Sequence, residues 1–416
     1  MDLIPRHMGT MVEEALEVFR VVVLHGARQS GKTTLARQIA HERGGTYQTL
    51  DDEATLEAAL DDPRFFLTAH SFPLVVDEIQ LGGDRLVRAA KIIVDENPTP
   101  GRFLFTGSTN FLTVPTISES LAGRAAILRL HPFSEAERCG TKPGAVQDWF
   151  NREFNLARVS ELARDDYMHR VCRGGYPATT DMSPQQRRNW FSSYVQTVTQ
   201  RDLAALTDIR RTGVLEQMTR WVAASTSTEL NVAEATSRLG VNRQTFTSYL
   251  DWLATVFLAE QVPSWSRNHL ERTVRRPKLH ITDTGLATAL LGLDASALSS
   301  QNSTMAGPLL ESFVVSEIAR QQDSSNVPDR LHYWRDRDGH EVDIVIEQPS
   351  GAVVAIEVKA TGSPTARMLS HVAWLRDKLD RVEPEAFRAG VLLHTGPQTL
   401  KVGDRLYLAP IDTLWL

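Results

Sequence analysis

Short apolar runs bounded by turn residues, set between stretches of helical periodicity, organise the first third of this chain. Arg20 to Leu24 reads as a short buried parallel strand, and the pattern Leu35, Ile39, Ala40 behind it as a helix. Two more apolar strands follow, Phe72 to Val76 and Arg102 to Thr106, then a fourth from Ala126 to Leu130. From about Gln147 to Met218 the period is helical, with Tyr167, Val171, Trp190, Tyr194, Val195 and Val198 as core positions. Asn231 to Leu258 reads as helix, glycine turn, helix: Asn242 caps the second helix, and Leu250, Leu253 and Phe257 repeat on one face. A linker rich in Ala and Ser, Asp294 to Gly307, leads to a helix starting near Pro308 and to two strands, Glu341 to Glu347 and Ala352 to Lys359.

The first strand runs into Gly26-Ala27-Arg28-Gln29-Ser30-Gly31-Lys32-Thr33-Thr34, which is GxxxxGK[ST] in its required context of strand, loop and helix. Glycines let backbone N–H groups wrap a phosphate, and the helix N-terminus adds its dipole. Lys32 is then expected to reach the β and γ phosphates of ATP, and Thr33 to ligate Mg²⁺. The second strand ends in Asp77-Glu78, placing Asp77 beside the magnesium and Glu78 as base or positioning group for the attacking water. Alone, such a pair is more often a solvated strand end; behind the glycine loop it reads as chemistry. The third strand ends in Thr106-Gly107-Ser108-Thr109-Asn110; these side chains suit γ-phosphate sensing, with Ser108 the chosen contact, and they are equally routine turn residues. Arg124, after Gly123 in Glu119-Ser120-Leu121-Ala122-Gly123-Arg124, is a candidate finger on the nucleotide of a neighbouring subunit, or simply a surface arginine.

In this order GARQSGKTTL, VVDEIQ, FLFTGSTN, SLAGR and LHPFSEAE resemble the bacterial and archaeal AAA+ family in which an AAA_14 core precedes a DUF4143 region. The resemblance continues in Gly174-Gly175-Tyr176-Pro177, Tyr194 to Asp202, Pro277-Lys278-Leu279 and Asp283-Thr284-Gly285-Leu286. It implies an α/β fold, with a five-stranded parallel-sheet P-loop core and a helical lid.

Composition narrows the class further. With 42% hydrophobic, 23% charged and 7% aromatic residues the chain is globular, which excludes disorder and collagen. Two cysteines, Cys139 and Cys172, make no disulfide framework or zinc pattern, so a reducing cytoplasm is the expected compartment. No signal peptide or membrane span is visible. The net charge of -6 taken alone argues against a nucleic-acid coat protein. The charge is segregated, however: residues 187–278 hold 13 Lys+Arg against 8 Asp+Glu, a surplus of +5 between two acidic flanks. The helix-turn-helix lies in that island. Its second helix would present Arg243, Gln244, Thr247 and Ser248, and a basic wing would follow with Arg267, Arg272, Arg275, Arg276 and Lys278. Arg243, Gln244, Arg272, Arg275, Arg276 and Lys278 are the expected DNA contacts, although winged helices also dock proteins.

In the C-terminal region a hairpin centred on Ser350 sets Asp343 opposite Glu357, and Lys359 shares a face with Glu357. Asp343 and Glu357 are thus candidate Mg²⁺ ligands, and Lys359 a residue that orients or activates water. This constellation resembles the PD-(D/E)xK restriction-endonuclease-like fold, with Glu311 or Glu317 at the place of its first-helix acid. The plainer alternative is a surface salt bridge, against which the flanking Val353, Val354, Ile356 and Val358 argue burial. The expected organisation is an ATPase core over 1–145, lid and connecting helices over 146–225, a winged helix over 226–292, a linker over 293–307 and a nuclease-like domain over 308–416. The function it implies is a homo-oligomeric, cytoplasmic Mg·ATP-hydrolysing protein coupled to DNA. Its rivals are a nucleotide-switched protein-docking module and an ATP-controlled, metal-dependent nuclease.

Overall fold

The computed structural model describes residues 3–109, 121–199 and 212–416. Asn110, Glu119, Ser120 and Asp202 of the motifs above lie outside the described residues. The chain divides into two compact units: Met1–Phe133 with Ala254–Phe257 and Asp323–Asn326, and Ser134–Leu253 with Leu258–Gln322 and Val327–Leu416. The connecting helices from 134 onward therefore group with the second unit.

The first unit is a parallel sheet of five strands in the order β2-β3-β4-β1-β5, where β1 is Val21–His25, β2 Thr46–Thr49, β3 Leu74–Asp77, β4 Phe103–Gly107 and β5 Ala125–Arg129. Successive side chains of a strand point to opposite faces, so a sheet covered on both faces needs unbroken apolar runs. On one face Val22, Leu24, Val75 and Leu104 pack with Val12, Leu16, Leu35, Ala36 and Ile39 from the Met8–Val18 and Lys32–Glu42 helices. On the other, Val21, Val23, Val76, Phe103 and Phe105 meet Leu86, Val87, Ala90, Ile93 and Val94 of the Gly83–Glu96 helix. Each large side chain so buried contributes about 1.5–3 kcal/mol, which keeps the strand ends in fixed register. The C-terminal ends of β1, β3 and β4 thereby open on one edge of the sheet.

The second unit opens with two short helices, Glu135–Cys139 and Ala145–Phe150, followed by the longer Arg164–Arg173, Pro184–Thr197 and Thr212–Ala224. Tyr167, Val171, Tyr194, Val195 and Val198 are buried as their period requires, and Trp190, half-buried, stacks on Tyr194 at 5.1 Å. Val232–Leu239 and Arg243–Thr255 form the two expected helices, joined through Gly240 at φ +64°. Asn242 accepts from the Thr245 N–H at 2.8 Å, the cap that starts the second helix. An antiparallel sheet of three strands accompanies them in the order β6-β8-β7: β6 Thr228–Glu229, β7 Ala259–Val262 and β8 Lys278–Ile281. The small-residue stretch expected to be a linker is partly ordered: Asp294 caps a one-turn helix, Ala295–Ser299, whose Leu298 is buried.

The Ala306–Asp323 helix precedes a mixed sheet of six strands in the order β13-β14-β12-β11-β10-β9. These are β9 Arg330–Arg335, β10 Glu341–Glu347, β11 Val353–Lys359, β12 Phe387–His394, β13 Leu400–Gly403 and β14 Leu406–Pro410. The β10–β11 register pairs Ile344 with Ile356 and Glu347 with Val353, as the hairpin centred on Ser350 demands. The Ser370–Asp380 helix covers one face through Val372, Leu375 and Leu379.

Several family-like motifs without evident chemistry meet in one buried ionic network of this unit. Asp283 caps the Thr284–Leu291 helix by accepting from the Leu286 N–H at 3.0 Å, and also accepts from the Gly175 N–H at 2.7 Å. Gly174 has φ +67°, and a Cβ there would lie 2.2 Å from Asp283 Oδ1, so only glycine fits. Arg320 bridges Asp283 at 3.5 Å and Glu317 at 2.7 Å, while Glu317 accepts from the Glu135 N–H at 2.8 Å. Glu135 in turn pairs with Arg170 at 3.0 Å and with Arg173.

Burial pushes the Glu317 carboxyl up to about 7, against the pull of Arg320 and with the help of Glu135. A carboxyl raised in the folded state holds its proton where the unfolded chain has lost it, so its contribution is complete below pH 4.5 and disappears as pH rises through 7. Denaturant unfolding at several pH values should show Glu317→Gln gaining stability relative to the wild type as pH rises from 4.5 to 7.5. A constant difference across that range would refute the assignment.

Candidate nucleotide site and carboxylate cluster

The turn after β1 can be made only with little side-chain bulk. A Cβ on Gly26 would fall 2.2 Å from the Leu130 carbonyl oxygen, and Gly31, at φ +101°, starts the Lys32–Glu42 helix from the left-handed region. Gln29 also has positive φ, at 60°. Ala27 and Ser30 are buried, Arg28 is half-buried, and Gln29 and Thr34 are exposed. The Lys32 side chain folds back into its own loop, donating to the carbonyl oxygens of Gly26 and Ala27 at 2.9 Å each. Burial lowers its pKa to about 8 in spite of Glu78 and Asp77 nearby. A desolvated ammonium hydrogen-bonded to carbonyl oxygens is a strong attractor for a phosphate.

Asp77, 3% exposed, gathers donors from three elements. The Thr33 hydroxyl donates to it at 2.9 Å, the Tyr47 phenol of β2 at 2.7 Å, and the Thr106 hydroxyl of β4 closes the set. Thr106 also accepts from the Glu78 N–H at 3.2 Å, fixing the residue that follows the strand. Glu78 itself sits at φ +56°, a conformation that non-glycine residues adopt at a cost. Its carboxylate accepts from the Gln80 amide, which also reaches Ser108 Oγ at 3.3 Å. The expected residues Lys32, Thr33, Asp77, Glu78 and Ser108 thus converge on one sheet edge. Tyr47 and Gln80 escaped the sequence reading. Thr106 was legible only as a hydroxyl at the end of an apolar strand.

Arg124 lies elsewhere. It immediately precedes β5, at the opposite edge of the sheet from the loop, and binds Asp95 through two nitrogens at 2.5 and 2.9 Å.

The basic island separates into exposed and buried members. Arg243, Gln244, Thr247, Ser248 and Arg276 are exposed. Arg275 is half-buried and holds the Arg335 carbonyl oxygen at 2.6 Å and Glu271 at 3.1 Å. Two expected DNA contacts are corrected. Arg272 is locked bidentately onto Glu347 at 2.6 and 2.7 Å with its side chain 10% exposed. Lys278 is 1% exposed, with Glu311 and Glu341 each 2.8 Å from its ammonium. Their partners lie far along the chain, so a local count of charge treats both as surface.

In the C-terminal sheet Asp343, Glu357 and Lys359 converge as the register requires. Asp343 accepts from the Val358 N–H at 2.9 Å, and Lys359 lies 2.5 Å from Glu357 and 3.9 Å from Asp343. Burial pushes Glu357 up to about 7, with Asp343 adding to the rise and Lys359 opposing it. Glu311 joins this cluster. Glu317 belongs to the separate network around Glu135.

Similarity to known proteins assigns the first of these sites. Residues 18–139 match the family model described as an AAA domain. The chain carries an AAA domain. Its sheet order, loop and β3 carboxylates are those of a P-loop ATPase fold, which supports ATP binding or hydrolysis. Behind the AAA domain, residues 164–297 match a domain of unknown function, DUF8612, and residues 306–414 are a DUF4143 domain. The uncharacterized protein Rv2008c of Mycobacterium tuberculosis is 29% identical over 411 residues, covering 98% of this chain and 84% of its own. Among solved structures, the Walker-type ATPase paby2304 of Pyrococcus abyssi aligns at 14% identity and a TM-score of 0.38, over 70% of this chain and 96% of that one. AMPPCP-bound DnaA from Aquifex aeolicus aligns at 14% identity and 0.28, over 59% and 86%. Among the described residues no helix is long and apolar enough to cross a membrane.

Thr106→Val removes the hydroxyl that couples Asp77 to Glu78 in the AAA domain while keeping the strand's shape. ATP turnover should fall about tenfold or more, the value of a lost charge-assisted hydrogen bond, with nucleotide affinity changed less than about threefold. Steady-state hydrolysis beside equilibrium nucleotide binding separates the two effects; a parallel loss would make Thr106 a binding residue.

Proposed function

We propose that this protein hydrolyses Mg·ATP and couples the reaction to DNA engaged by its helix-turn-helix. The observation that carries the reading is the set of hydrogen bonds gathering Thr33, Thr106 and the Glu78 backbone around Asp77. Thr33 and Asp77 would hold the magnesium ion, which would supply neutralisation of the charge on the terminal phosphates. The Gly26–Gly31 backbone supports the phosphates, and Lys32 exchanges its two loop carbonyls for phosphate oxygens. Glu78 accepts the proton of the attacking water once it lets go of Gln80, and Ser108 beside Gln80 is placed to register that release. Arg124 would serve a neighbouring subunit in a homo-oligomer only by leaving Asp95.

For DNA, the exposed Arg243, Gln244, Thr247 and Ser248 on the second helix, with Arg276 beyond, support a winged helix laid into a major groove. A second reading, a metal-dependent nuclease of PD-(D/E)xK type, is favoured by the meeting of Asp343, Glu357 and Lys359.

Glu78→Gln should keep nucleotide binding and lose about 100-fold in turnover, while Lys32→Ala loses binding itself. Wild-type hydrolysis in either variant would overturn the ATPase assignment.

Duplex DNA should stimulate hydrolysis by the full-length protein. Arg243→Ala with Gln244→Ala should weaken DNA binding and lower the salt slope by about 1, as one phosphate contact does. A salt-insensitive affinity equal to the wild type would favour protein docking instead.

A further inference from the structure

A cleft of about 350 Å³ opens in the second unit, lined from the Arg164–Arg173, Pro184–Thr197 and Thr284–Leu291 helices and from the one-turn helix Ala295–Ser299. Every residue that lines it, from His169 to Ser296, falls within residues 164–297, the DUF8612 domain. Much of the wall is apolar: Pro184 and Phe191 come from one helix, Ala289 from another and Leu293 from the turn beyond it. Such a wall takes an apolar body out of water, and the few polar groups set in it select which body.

The polar groups that stand out are two arginines without a carboxylate. Arg187, half-buried, donates to the carbonyl oxygens of Met182 at 2.9 Å and Cys172 at 3.5 Å, and its Nε is buried with no hydrogen-bond partner. Arg188, also half-buried, donates to the Gln185 side chain at 2.6 Å. Among the described residues neither arginine forms an ion pair. By contrast Arg173, Arg272 and Arg320 of the same unit each hold a glutamate. Asp294, the one acid of the lining, is exposed and accepts from the Ala297 N–H at 2.8 Å as a helix cap. Burial, and after it the charge of Arg173, lower the Arg187 pKa from its usual value. A guanidinium drawn partly out of water is costly until an anion answers it.

We propose that this cleft binds a small organic acid, with the carboxylate on Arg187 and Arg188 and the apolar body against Phe191, Ala289 and Leu293. A carboxylate matches the planar fork of a guanidinium with its two oxygens, and the unpartnered Nε lies on an edge of that fork. The cleft holds its ligand without attacking it: Cys172 is the one thiol of the lining, and burial pushes that thiol up to about 11, which keeps it protonated. The site stands apart from the nucleotide chemistry, since no residue of the AAA domain lines it.

The test uses the full-length chain and two probes of one shape, 4-fluorobenzoate and the neutral 4-fluorobenzamide, titrated by fluorine nuclear magnetic resonance. The benzoate should bind with a dissociation constant of about 1 mM or tighter, the scale that roughly ten heavy atoms allow, and the benzamide about tenfold more weakly or worse. Arg187→Gln should weaken the benzoate about tenfold, the value of a charge-assisted hydrogen bond, and bring it level with the benzamide. Because Arg187 also braces two carbonyls, Arg188→Gln is measured beside it and should cost the benzoate about threefold with the melting temperature unchanged. Ala289→Leu, which fills the cleft from a half-buried helix position, should abolish benzoate binding. Equal affinity for the two probes, benzoate binding that survives Ala289→Leu, or benzoate binding indifferent to both arginine variants would overturn the proposal. A wild type that binds neither probe would overturn it as well.

Discussion

A carboxylate withdrawn from water has to be given hydrogens, and the nucleotide end of this protein is built around doing so for Asp77. β4 runs between β1 and β3, so the loop-bearing strand and the carboxylate-bearing strand are not neighbours. Thr106 on the intervening strand closes that gap, and Thr33 and Tyr47 complete the donor set from either side. The apolar layers on both faces of the sheet keep these strand ends in register, which lets three hydroxyls address one carboxylate. The placing of the Thr33 hydroxyl and of the Glu78 backbone depends on that arrangement.

The second unit applies the same rule to charges that carry no nucleotide chemistry. Asp283, Glu135 and Glu317 are buried, and each is answered by arginines or backbone N–H groups, two of those N–H groups coming from more than a hundred residues away. Gly174 and Gly285 are there because the packing around Asp283 leaves no room for a Cβ: one at Gly174 would meet the Asp283 carboxylate, and one at Gly285 would come within 2.8 Å of the Gly174 nitrogen. These motifs hold the fold together, and their chemistry-like appearance in sequence comes from the strictness of that packing. The Lys278 cluster follows the same rule, its ammonium lying 2.8 Å from Glu311 and 2.8 Å from Glu341.

Much of both sites was readable beforehand because their signals are local. The strand, glycine loop and helix of residues 20–40 lie in one short stretch, and the β10–β11 register follows from a turn and a period of two. The pair of helices joined through Gly240 was legible from one capping Asn242 and one apolar stripe. Gln80 and Tyr47 were not legible, because a glutamine and a tyrosine at strand ends have no distinctive spacing and gain meaning only from Glu78 and Asp77.

The chain alone therefore determined the strand, phosphate loop and helix of residues 20–40, the helix capped by Asn242 and the side chains that share the β10–β11 hairpin face, since those follow from periodicity and turn chemistry within a few residues. The tertiary structure decided the partner of each charge. It turned Arg272 and Lys278 from expected DNA contacts into buried ions, tied Arg124 to Asp95 and gave Asp77 its hydroxyl from β4. The reason is physical: a charge is satisfied by whatever group folds within about 3 Å of it, and that distance is set by strands and helices distant in sequence.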